Sequence, residues 1–133
     1  MENEARVAIN SAADIVTARQ KGRTLATELG FDGSDLTLIA TAISEVARNI
    51  VTHAKSGEIL LVAANNGSKH GITIIARDEG PGIKDINRAM QYGYSTAKGL
   101  GVGLPGAKWL MDEFEIESKV GNGTKVTMKK WLK

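Results

Sequence analysis

Cysteine is absent from the sequence of 133 residues, and this absence limits the chemistry that the protein can carry. It excludes disulfide frameworks, thiolate metal sites and a thiol nucleophile. No apolar run approaches the roughly 18 residues of a membrane-spanning helix, and the acidic first four residues do not resemble a signal peptide. We therefore expect a soluble, cytoplasmic protein without a membrane partner.

Neither sign of charge is in large excess, because 17 Lys and Arg residues against 15 Asp and Glu residues leave a formal net charge of +2. The cations are spread along the chain instead of forming a tract, which favours a solvated basic face over nucleic-acid binding. Apolar residues make up 42% of the chain, enough for one hydrophobic core. We expect one domain over residues 1–133 and no nucleic-acid partner.

Proline occurs twice, whereas glycine occurs 15 times and is concentrated in the second half of the chain. Clusters of glycine follow Asp78, in residues 79–82, 99–106 and 121–123. Glycine lets the backbone turn sharply and approach a ligand closely. We therefore expect ligand contacts in these loops.

Alternating and helical apolar patterns predict an α+β protein. Two hairpins enclose a group of helices in the expected order of elements, which predicts a two-layer sandwich, a mixed β-sheet with helices on one face. Residues 93–98 lack periodicity and are expected to form a loop. Strands are predicted at residues 5–10, 58–64, 72–78, 114–118 and 124–132, and helices at residues 11–29, 34–54, 84–92 and 104–112.

Local signals predict where the first two helices begin and whether they are straight. Ser11, with Asp14 three residues later, is typical of a helix start. Gly22 predicts a bend or break in the first helix, since glycine costs about 1 kcal/mol relative to alanine in a helix. Ser34 or Asp35 is expected to cap the second helix.

The helix at residues 34–54 carries two stripes of opposite character. Glu45, Asn49 and His53 are four residues apart, so they advance only about 40° per step and form a polar stripe beside the apolar one. A polar stripe in this position indicates a site where the core meets a cleft. The apolar stripe predicts one buried face and consists of Leu36, Ile39, Ile43, Val46 and Ile50.

Gly99, Gly101 and Gly103 precede the last predicted helix. Backbone N–H groups in such a run can approach an anion, and the helix N-terminus adds partial positive charge, so the run is a candidate phosphate site. An ordinary glycine-rich loop is the alternative for this motif alone. A Rossmann fold or a P-loop does not fit, because no predicted strand directly precedes the run and no Gly-Lys-Ser or Gly-Lys-Thr follows it.

Four motifs follow one another along the chain. They are Glu45-x3-Asn49-x3-His53, Asp78-x-Gly80-x-Gly82, Gly99-x-Gly101-x-Gly103 and Gly121-x-Gly123-Thr124. Together they resemble the N, G1, G2 and G3 boxes of the GHKL (Bergerat) ATP-binding fold, which gyrase and histidine kinases share. The likeness covers about residues 30–133, and with the first strand and helix it covers the whole chain. The short chain and the motif Ser44-Glu45-x2-Arg48-Asn49 are similar to the anti-sigma-factor serine kinases.

The resemblance implies a catalytic residue and a metal ligand on the helix at residues 34–54. Glu45 is the implied base that accepts the proton of a serine or threonine hydroxyl, a role that suits a carboxylate. Asn49 is the implied Mg²⁺ ligand, and its neutral amide oxygen suits a hard cation that keeps several waters. A solvated carboxylate paired with Arg48 and a surface amide are the respective alternatives.

The glycine boxes imply an ATP site. Asp78 would accept the amine of adenine at the end of a strand, although an Asx turn would explain the same residue. Lys98 would reach the γ-phosphate from its loop, with a solvated lysine as the alternative. The implied nucleotide-binding residues are Asn49, Asp78, Gly80, Gly82, Ile83, Lys98, Gly99, Gly101, Val102, Gly103, Leu104 and Thr124.

The resemblance also implies a function, that of an ATP- and Mg²⁺-dependent protein serine/threonine kinase in a stressosome pathway that regulates a sigma factor. The implied substrates are STAS-domain antagonist or scaffold proteins, and the released kinase would bind and activate a PP2C-type phosphatase. Two alternatives stay open, a nucleotide-binding anti-sigma module without turnover and an ATP-gated dimer or ATPase. A homodimer is compatible with the sequence.

Three further residues have a structural interpretation. His53 has no second His or Cys at the spacing of metal ligands, so we expect it to pack or to form a hydrogen bond. Trp109 and Trp131 lie at apolar spacing and are expected in the core or at the edge of an interface, with Trp109 pointing inward.

Overall fold

The computed structural model describes residues 4–82, 90 and 103–132. Every strand and helix predicted within these ranges is present, with ends that differ by no more than two residues. The helix expected at residues 84–92 and the loop expected at residues 93–98 lie outside the described residues, apart from Met90. The elements are β1 (Glu4–Ile9), α1 (Ala12–Leu29), α2 (Gly33–His53), β2 (Gly57–Asn65), β3 (His70–Asp78), α3 (Gly103–Leu110), β4 (Glu113–Lys119) and β5 (Gly123–Trp131).

The strands form one sheet in the order β1-β2-β3-β5-β4, and each neighbouring pair is antiparallel. The predicted α+β class is confirmed, but the expected mixed sheet is wrong for the described strands. Ile9 pairs with Gly57, so the chain leaves β1 and enters β2 at the same end of the sheet. The pairing of β1 with β2 is antiparallel because the two helices α1 and α2 carry the chain away from this end of the sheet and back to it.

One face of the sheet packs against the helices and forms the core. Leu61, Ile74 and Met128 lie side by side on the three central strands and are fully buried. Burying a side chain of this size contributes about 1.5–3 kcal/mol relative to leaving it exposed. All three described helices supply side chains to the same core. The predicted stripe of α2 is buried at Ile39, Ile43, Val46 and Ile50 and half-buried at Leu36.

Helix α1 is continuous from Ala12 to Leu29, so the bend or break expected at Gly22 is wrong. Gly22 is buried, and a Cβ atom at this position would overlap the Cδ1 atom of Ile43 on α2. The glycine therefore allows close contact between two helices. Its local cost to the helix is offset by the packing that this contact permits.

The longest described helix, α2, has 21 residues. Its N-cap is Asp32 instead of the expected Ser34 or Asp35. Asp35 lies in the first turn, where a negative charge is favourable near the positive end of the helix dipole. At the other end the backbone N–H of Ala54 donates to the carbonyl of Ile50 at 2.8 Å. Within residues 4–82 and 103–132, none of the helices is long and apolar enough to cross a membrane.

The start of α1 is stabilised by the carboxylate of Asp14. Its Oδ2 atom accepts hydrogen bonds from the backbone N–H groups of Asn10 at 2.8 Å and Ser11 at 3.1 Å. Backbone donors before the first turn of a helix have no partner inside the helix. The Asp14 side chain therefore satisfies two of them, as the spacing from Ser11 predicted.

We expect Asp14→Ala to lower the free energy of unfolding by about 1 kcal/mol, because two backbone N–H groups lose their acceptor. Urea unfolding followed by circular dichroism measures the change. Glu28→Ala is the matched control, since Glu28 is an exposed acid in the last turns of the same helix and is expected to change stability by less than about 0.5 kcal/mol. Equal effects of the two substitutions would contradict the assigned contact.

Helix α3 packs on α2, and Lys130 binds its C-terminal end. The Lys130 side chain is buried, and its ammonium group donates to the carbonyl of Leu110 at 3.2 Å. It also lies 4.0 Å from a carboxylate oxygen of Asp112. A cation is favourable at the C-terminal end of a helix, where carbonyl groups are unpaired. This contact ties α3 to strand β5.

The two tryptophans differ in burial. Trp109 is 80% exposed, so its expected inward orientation is wrong. The buried stripe around α3 comprises Leu104, Ala107 and Met111, and Trp109 lies about 200° around the helix from Ala107. Trp131 is half-buried, and its indole N–H donates to the carboxylate of Glu113 at 2.6 Å.

Candidate functional site

Helix α2 carries the two residues that the sequence predicted as the base and the metal ligand. The Glu45 side chain is only 4% exposed, and Asn49 lies one turn later and is half-buried. The Arg48 Nη1 atom donates to both carboxylate oxygens of Glu45, at 2.6 and 3.0 Å. The pairing proposed as an alternative is therefore present, but Glu45 is buried and not solvated.

The Glu45–Arg48 pair has one buried and one exposed partner. The Arg48 side chain is 49% exposed, so its charge stays in contact with solvent while it compensates the buried carboxylate. Burying an ionised carboxylate without a partner costs several kcal/mol, and a charge-assisted hydrogen bond offsets part of this cost. The pair therefore holds an acceptor in a defined orientation at the edge of the core.

Asp78 ends strand β3, and its two carboxylate oxygens have different surroundings. Oδ1 accepts hydrogen bonds from the backbone N–H groups of Gly80 at 2.9 Å and Thr124 at 3.3 Å. The first bond is the Asx turn considered as an alternative. Among the described residues no donor contacts Oδ2. The Asx turn and a ligand role are therefore compatible, because each uses a different oxygen.

The turn after Asp78 is packed between α2 and the hairpin of β4 and β5. A Cβ atom at Gly80 would lie 2.6 Å from the Cβ atom of Ala54, which follows α2. Gly82 has a φ of 79°, and a Cβ atom there would overlap the carbonyl oxygen of Lys119. The backbone N–H of Gly121 donates to the carbonyl of Pro81 at 2.8 Å. Glycine is required at both positions by close backbone approach.

Thr124 lies opposite Asp78 in the register of β3 and β5 and is 7% exposed. Its hydroxyl lies 2.7 Å from the hydroxyl of Ser118 on β4. Asp78, Ser118 and Thr124 line a cavity of about 820 Å³ at this end of the sheet, with Ala54 from the end of α2. Glu45 and Asn49 are not among the described residues that line it. The cavity therefore includes Asp78 and Thr124, which were predicted to bind the nucleotide base, but not Glu45 and Asn49 on α2.

The predicted phosphate-binding run is described only at its end. Gly103 begins α3 with a φ of 66°, a conformation that favours glycine. Leu104 follows it and is 3% exposed in the core. Helix α3 packs against α2, the helix of Glu45 and Asn49. The other predicted residues of the nucleotide site, Ile83, Lys98, Gly99, Gly101 and Val102, lie outside the described residues.

The model of the histidine kinase-like ATPase domain family matches residues 9–130 of the sequence. The chain belongs to this family. The resemblance drawn from the four motifs is therefore confirmed. The description of the family is that of an ATPase domain, which implies that the protein uses a nucleotide.

Two curated relatives of this histidine kinase-like ATPase domain extend the comparison. Serine/threonine-protein kinase RsbT of Bacillus subtilis (strain 168) is 50% identical over 133 residues, which are 100% of both chains. The anti-sigma F factor of Thermoanaerobacter sp. (strain X514) is 41% identical over 100 residues, covering 71% of this chain and 68% of its own. The identity to a protein kinase over the whole chain supports a protein kinase.

A solved structure supports the fold of this family member. The crystal structure of the RsbU and RsbW domains of Rv1364c from Mycobacterium tuberculosis superimposes with a TM-score of 0.64 at 24% identity. The superposition covers 95% of this chain and 32% of that chain. At this level of identity the likeness concerns the fold alone.

His53 lies in the last turn of α2 and is exposed, so the expected packing role is wrong. No hydrogen bond of its side chain is formed within the described residues. The described part of the chain also contains no group of three or more His, Cys, Asp or Glu residues that could hold a metal ion.

The sequence did not indicate Ser118 as part of the site. Ser118 lies on a strand whose side chains alternate between exposed and half-buried, and it contacts Thr124 only because β4 pairs with β5 in this register. Because side chains alternate along a strand, Ser118 lies on the same face as Phe114 and Ile116. The identity of its cross-strand partner depends on the register, which a single strand pattern does not contain.

Proposed function

We propose that this protein is a serine/threonine kinase that transfers the γ-phosphate of ATP to a STAS-domain protein in a partner-switching pathway controlling a sigma factor. After release from its substrate complex, the kinase binds and activates a PP2C-type phosphatase. The observation that carries the proposal is the buried carboxylate of Glu45, held one turn before Asn49 on α2 in a chain that aligns over its full length with a protein kinase.

The adenine base binds in the cavity at the end of the sheet. Asp78 Oδ2 accepts a hydrogen from the exocyclic amine, while Oδ1 keeps the turn after β3 in place through Gly80. Thr124 supplies a second oxygen on the same side of the cavity. Gly80 and Gly82 allow the turn to pack closely against Ala54 and Lys119, which fixes the backbone that follows Asp78.

The phosphates lie towards the start of α3. The backbone N–H groups of Gly103 and Leu104 lie in the first turn of α3, at the positive end of its dipole, which favours an anion. In this proposal Gly99, Gly101 and Val102 also bind the phosphates, and Lys98 contacts the γ-phosphate. Support for this step comes from the packing of α3 on α2, the helix that carries Glu45.

Asn49 is the proposed ligand of Mg²⁺. Asn49 is half-buried, and its amide oxygen is a hard, neutral ligand. The buried carboxylate of Glu45 one turn earlier adds negative charge to the same helix face. One protein ligand suits a cation that keeps several waters and is otherwise bound by nucleotide phosphates. When bound, Mg²⁺ would neutralise charge on the phosphates.

Glu45 is the proposed general base, and its proton acceptor is a carboxylate oxygen. The hydroxyl of the acceptor serine or threonine gives its proton to this carboxylate oxygen as the hydroxyl oxygen attacks the γ-phosphorus of ATP. The bond from that phosphorus to the bridging oxygen breaks, and ADP leaves. Arg48 keeps the carboxylate oriented through its Nη1 group. Because both Glu45 oxygens contact the same nitrogen, one of them must also accept the substrate hydroxyl on its other lone pair.

The proposed partners are supported by the two kinds of relative that the chain resembles. One is named a serine/threonine-protein kinase and the other an anti-sigma F factor. A protein that uses one fold for both phosphorylation and sequestration can exchange partners when its substrate is modified, since the affinities of two competing partners are linked. We extend this argument by proposing a STAS-domain protein as the substrate and a PP2C-type phosphatase as the second partner.

We expect Asp78→Asn to weaken ATP binding by about tenfold or more, because the amide group places a donor where the adenine amine also donates. The amide oxygen can still accept from Gly80 and Thr124, so the turn is retained. Isothermal titration with ATP and Mg²⁺ measures the dissociation constant. Asp112→Asn is the control, since Asp112 lies at the other end of the sheet beside Trp131. Unchanged ATP affinity in Asp78→Asn would contradict the assignment of the base site.

Transfer of ³²P from labelled ATP tests the function itself. The protein is incubated with a purified STAS-domain protein, and labelled serine or threonine is mapped by mass spectrometry. Labelling of the acceptor supports the proposal. ATP binding without transfer to any acceptor would instead favour the nucleotide-binding anti-sigma module, and ATP hydrolysis at the same rate without an acceptor would favour an ATPase.

A further inference from the structure

Arg48 contacts Glu45 through only one of the three nitrogens of its guanidinium group. The Nη1 atom donates to both carboxylate oxygens, at 2.6 and 3.0 Å. A guanidinium group also carries N–H donors on Nε and Nη2, in the same plane. Within residues 4–82 and 103–132, these other donors form no hydrogen bond. The Arg48 side chain is 49% exposed, which leaves room for a second partner.

The contact with Glu45 places the charge of Arg48 beside the proposed reaction. If Glu45 receives the proton of the acceptor hydroxyl, the attacking oxygen lies within hydrogen-bond distance of its carboxylate. Both oxygens of that carboxylate already contact Arg48. Arg48 and Asn49 follow Glu45 by three and four residues, so they flank it on opposite sides of its position around α2. The phosphoryl group that the hydroxyl attacks therefore lies close to the guanidinium.

The proposed reaction also brings two negative groups together, the carboxylate of Glu45 and the transferring phosphoryl group. Positive charge at this point stabilises the transition state of phosphoryl transfer. Arg48 is the one Lys or Arg residue of α2. Lys108 is the one on α3, and it lies in the last turn, away from the helix start that is proposed to bind phosphates. Of the cations on these two described helices, Arg48 is thus the one beside the base.

We propose that Arg48 also binds the phosphoryl group as it moves from ATP to the acceptor, through its N–H donors on Nε and Nη2. The inference rests on the proposed function, since it takes Glu45 as the base of phosphoryl transfer. Arginine suits two simultaneous contacts because its planar group presents donors in a fixed fork, whereas the ammonium group of lysine is a compact point charge. Nη1 keeps Glu45 oriented while the other donors neutralise the phosphoryl oxygens.

The experiment uses ADP with aluminium fluoride, which mimics the transferring phosphoryl group. Isothermal titration in Mg²⁺ compares ADP alone with ADP and aluminium fluoride. We expect Arg48→Met to weaken binding of the fluoride complex by about tenfold to a hundredfold, the size of a hydrogen bond to a charged group. The affinity for ADP alone is expected to change by less than about threefold. Lys108→Met is the control, because it removes the same charge from an exposed position on α3 and is expected to change neither affinity.

A second background separates direct contact from orientation of the base. Glu45→Gln removes the carboxylate that Arg48 orients and the buried charge that Arg48→Met would leave uncompensated. We expect Arg48→Met to weaken binding of the fluoride complex by a similar factor in this background, because the contact with the phosphoryl group does not depend on Glu45. No further loss in the Glu45→Gln background would show that Arg48 acts only through Glu45 and would overturn the inference.

Three other results are decisive. Equal losses of affinity for ADP alone and for the fluoride complex, or no loss in Arg48→Met, would also overturn the inference. The same holds for a wild type that binds ADP but gains nothing from aluminium fluoride, because no group of the protein would then favour the transferring phosphoryl group. A wild type that does not bind ADP would overturn the proposed function itself.

Discussion

We expect Glu45→Gln to reduce phosphoryl transfer from ATP to the protein acceptor by about 10²–10⁴-fold, the usual contribution of a general base. Glutamine has the shape of glutamate but does not accept the hydroxyl proton. The substitution is placed on a buried side chain whose position is set by α2 and by Arg48. Single-turnover transfer of ³²P at saturating ATP measures the rate of the chemical step, without a contribution from ATP binding.

Two measurements identify the cause of this loss. The affinity for ATP is expected to change by less than about threefold in Glu45→Gln, because an interaction used only in the transition state does not affect ground-state binding. Glu115→Gln is the control, since Glu115 is exposed on β4 and faces away from the core. Phosphoryl transfer by Glu45→Gln at a rate close to the wild type would show that Glu45 is not the base.

Arg48→Met gives an intermediate test of the same site. Methionine retains much of the length of arginine but leaves the carboxylate of Glu45 without its cation. A slower transfer than wild type, with Glu45 still present, would indicate that orientation of the carboxylate matters. Because Arg48→Met leaves the buried carboxylate of Glu45 without its cation, a loss of stability is expected, and the melting temperature measures it in parallel.

We expect Gly123→Ala to lower the free energy of unfolding by about 3 kcal/mol and to abolish detectable nucleotide binding. Gly123 has a φ of 87°, which L-residues adopt at a cost. A Cβ atom would also overlap the carbonyl oxygen of Asp78 on the neighbouring strand. Since this backbone holds the Asp78 turn, the substitution disturbs both the sheet and the base site.

Gly121→Ala separates the two causes, because Gly121 lies in the same hairpin. Its φ of 85° is almost the same, but a Cβ atom there meets no atom within 4 Å. We therefore expect a loss of only about 1 kcal/mol from the backbone conformation, with nucleotide binding retained. Thermal and urea unfolding give the stabilities, and ADP titration gives the binding. Equal losses for the two variants would mean that the overlap with Asp78 is relieved by movement of the strand.

Helix α2 illustrates how much of the site can be read from local pattern. The apolar spacing predicted the buried stripe, and the spacing of Glu45 and Asn49 predicted that they share a side of the helix beside it. These features depend only on the helical repeat of 3.6 residues. The exposure of His53, at the end of the same stripe, could not be predicted in this way, because it depends on what packs near the last turn.

Gly22 and Trp109 show why other features could not be predicted. Glycine inside a helix is locally unfavourable, so the sequence favoured a bend at Gly22. Only the contact with Ile43 on a different helix shows that the glycine makes room for packing. The orientation of Trp109 likewise follows from which stripe of α3 meets α2, since the helix is too short for its pattern to distinguish one apolar face.

The sequence by itself determined the order of the elements and the identity of the four motifs, because turn residues, glycines and apolar periods act over a few residues. It also determined membership of the ATPase domain family. Tertiary structure alone decided that Glu45 is buried against Arg48, that Asp78 lines a cavity while its Oδ1 atom forms a turn, and that Ser118 contacts Thr124. These contacts depend on strand register and on packing between segments far apart in sequence, which no local pattern contains.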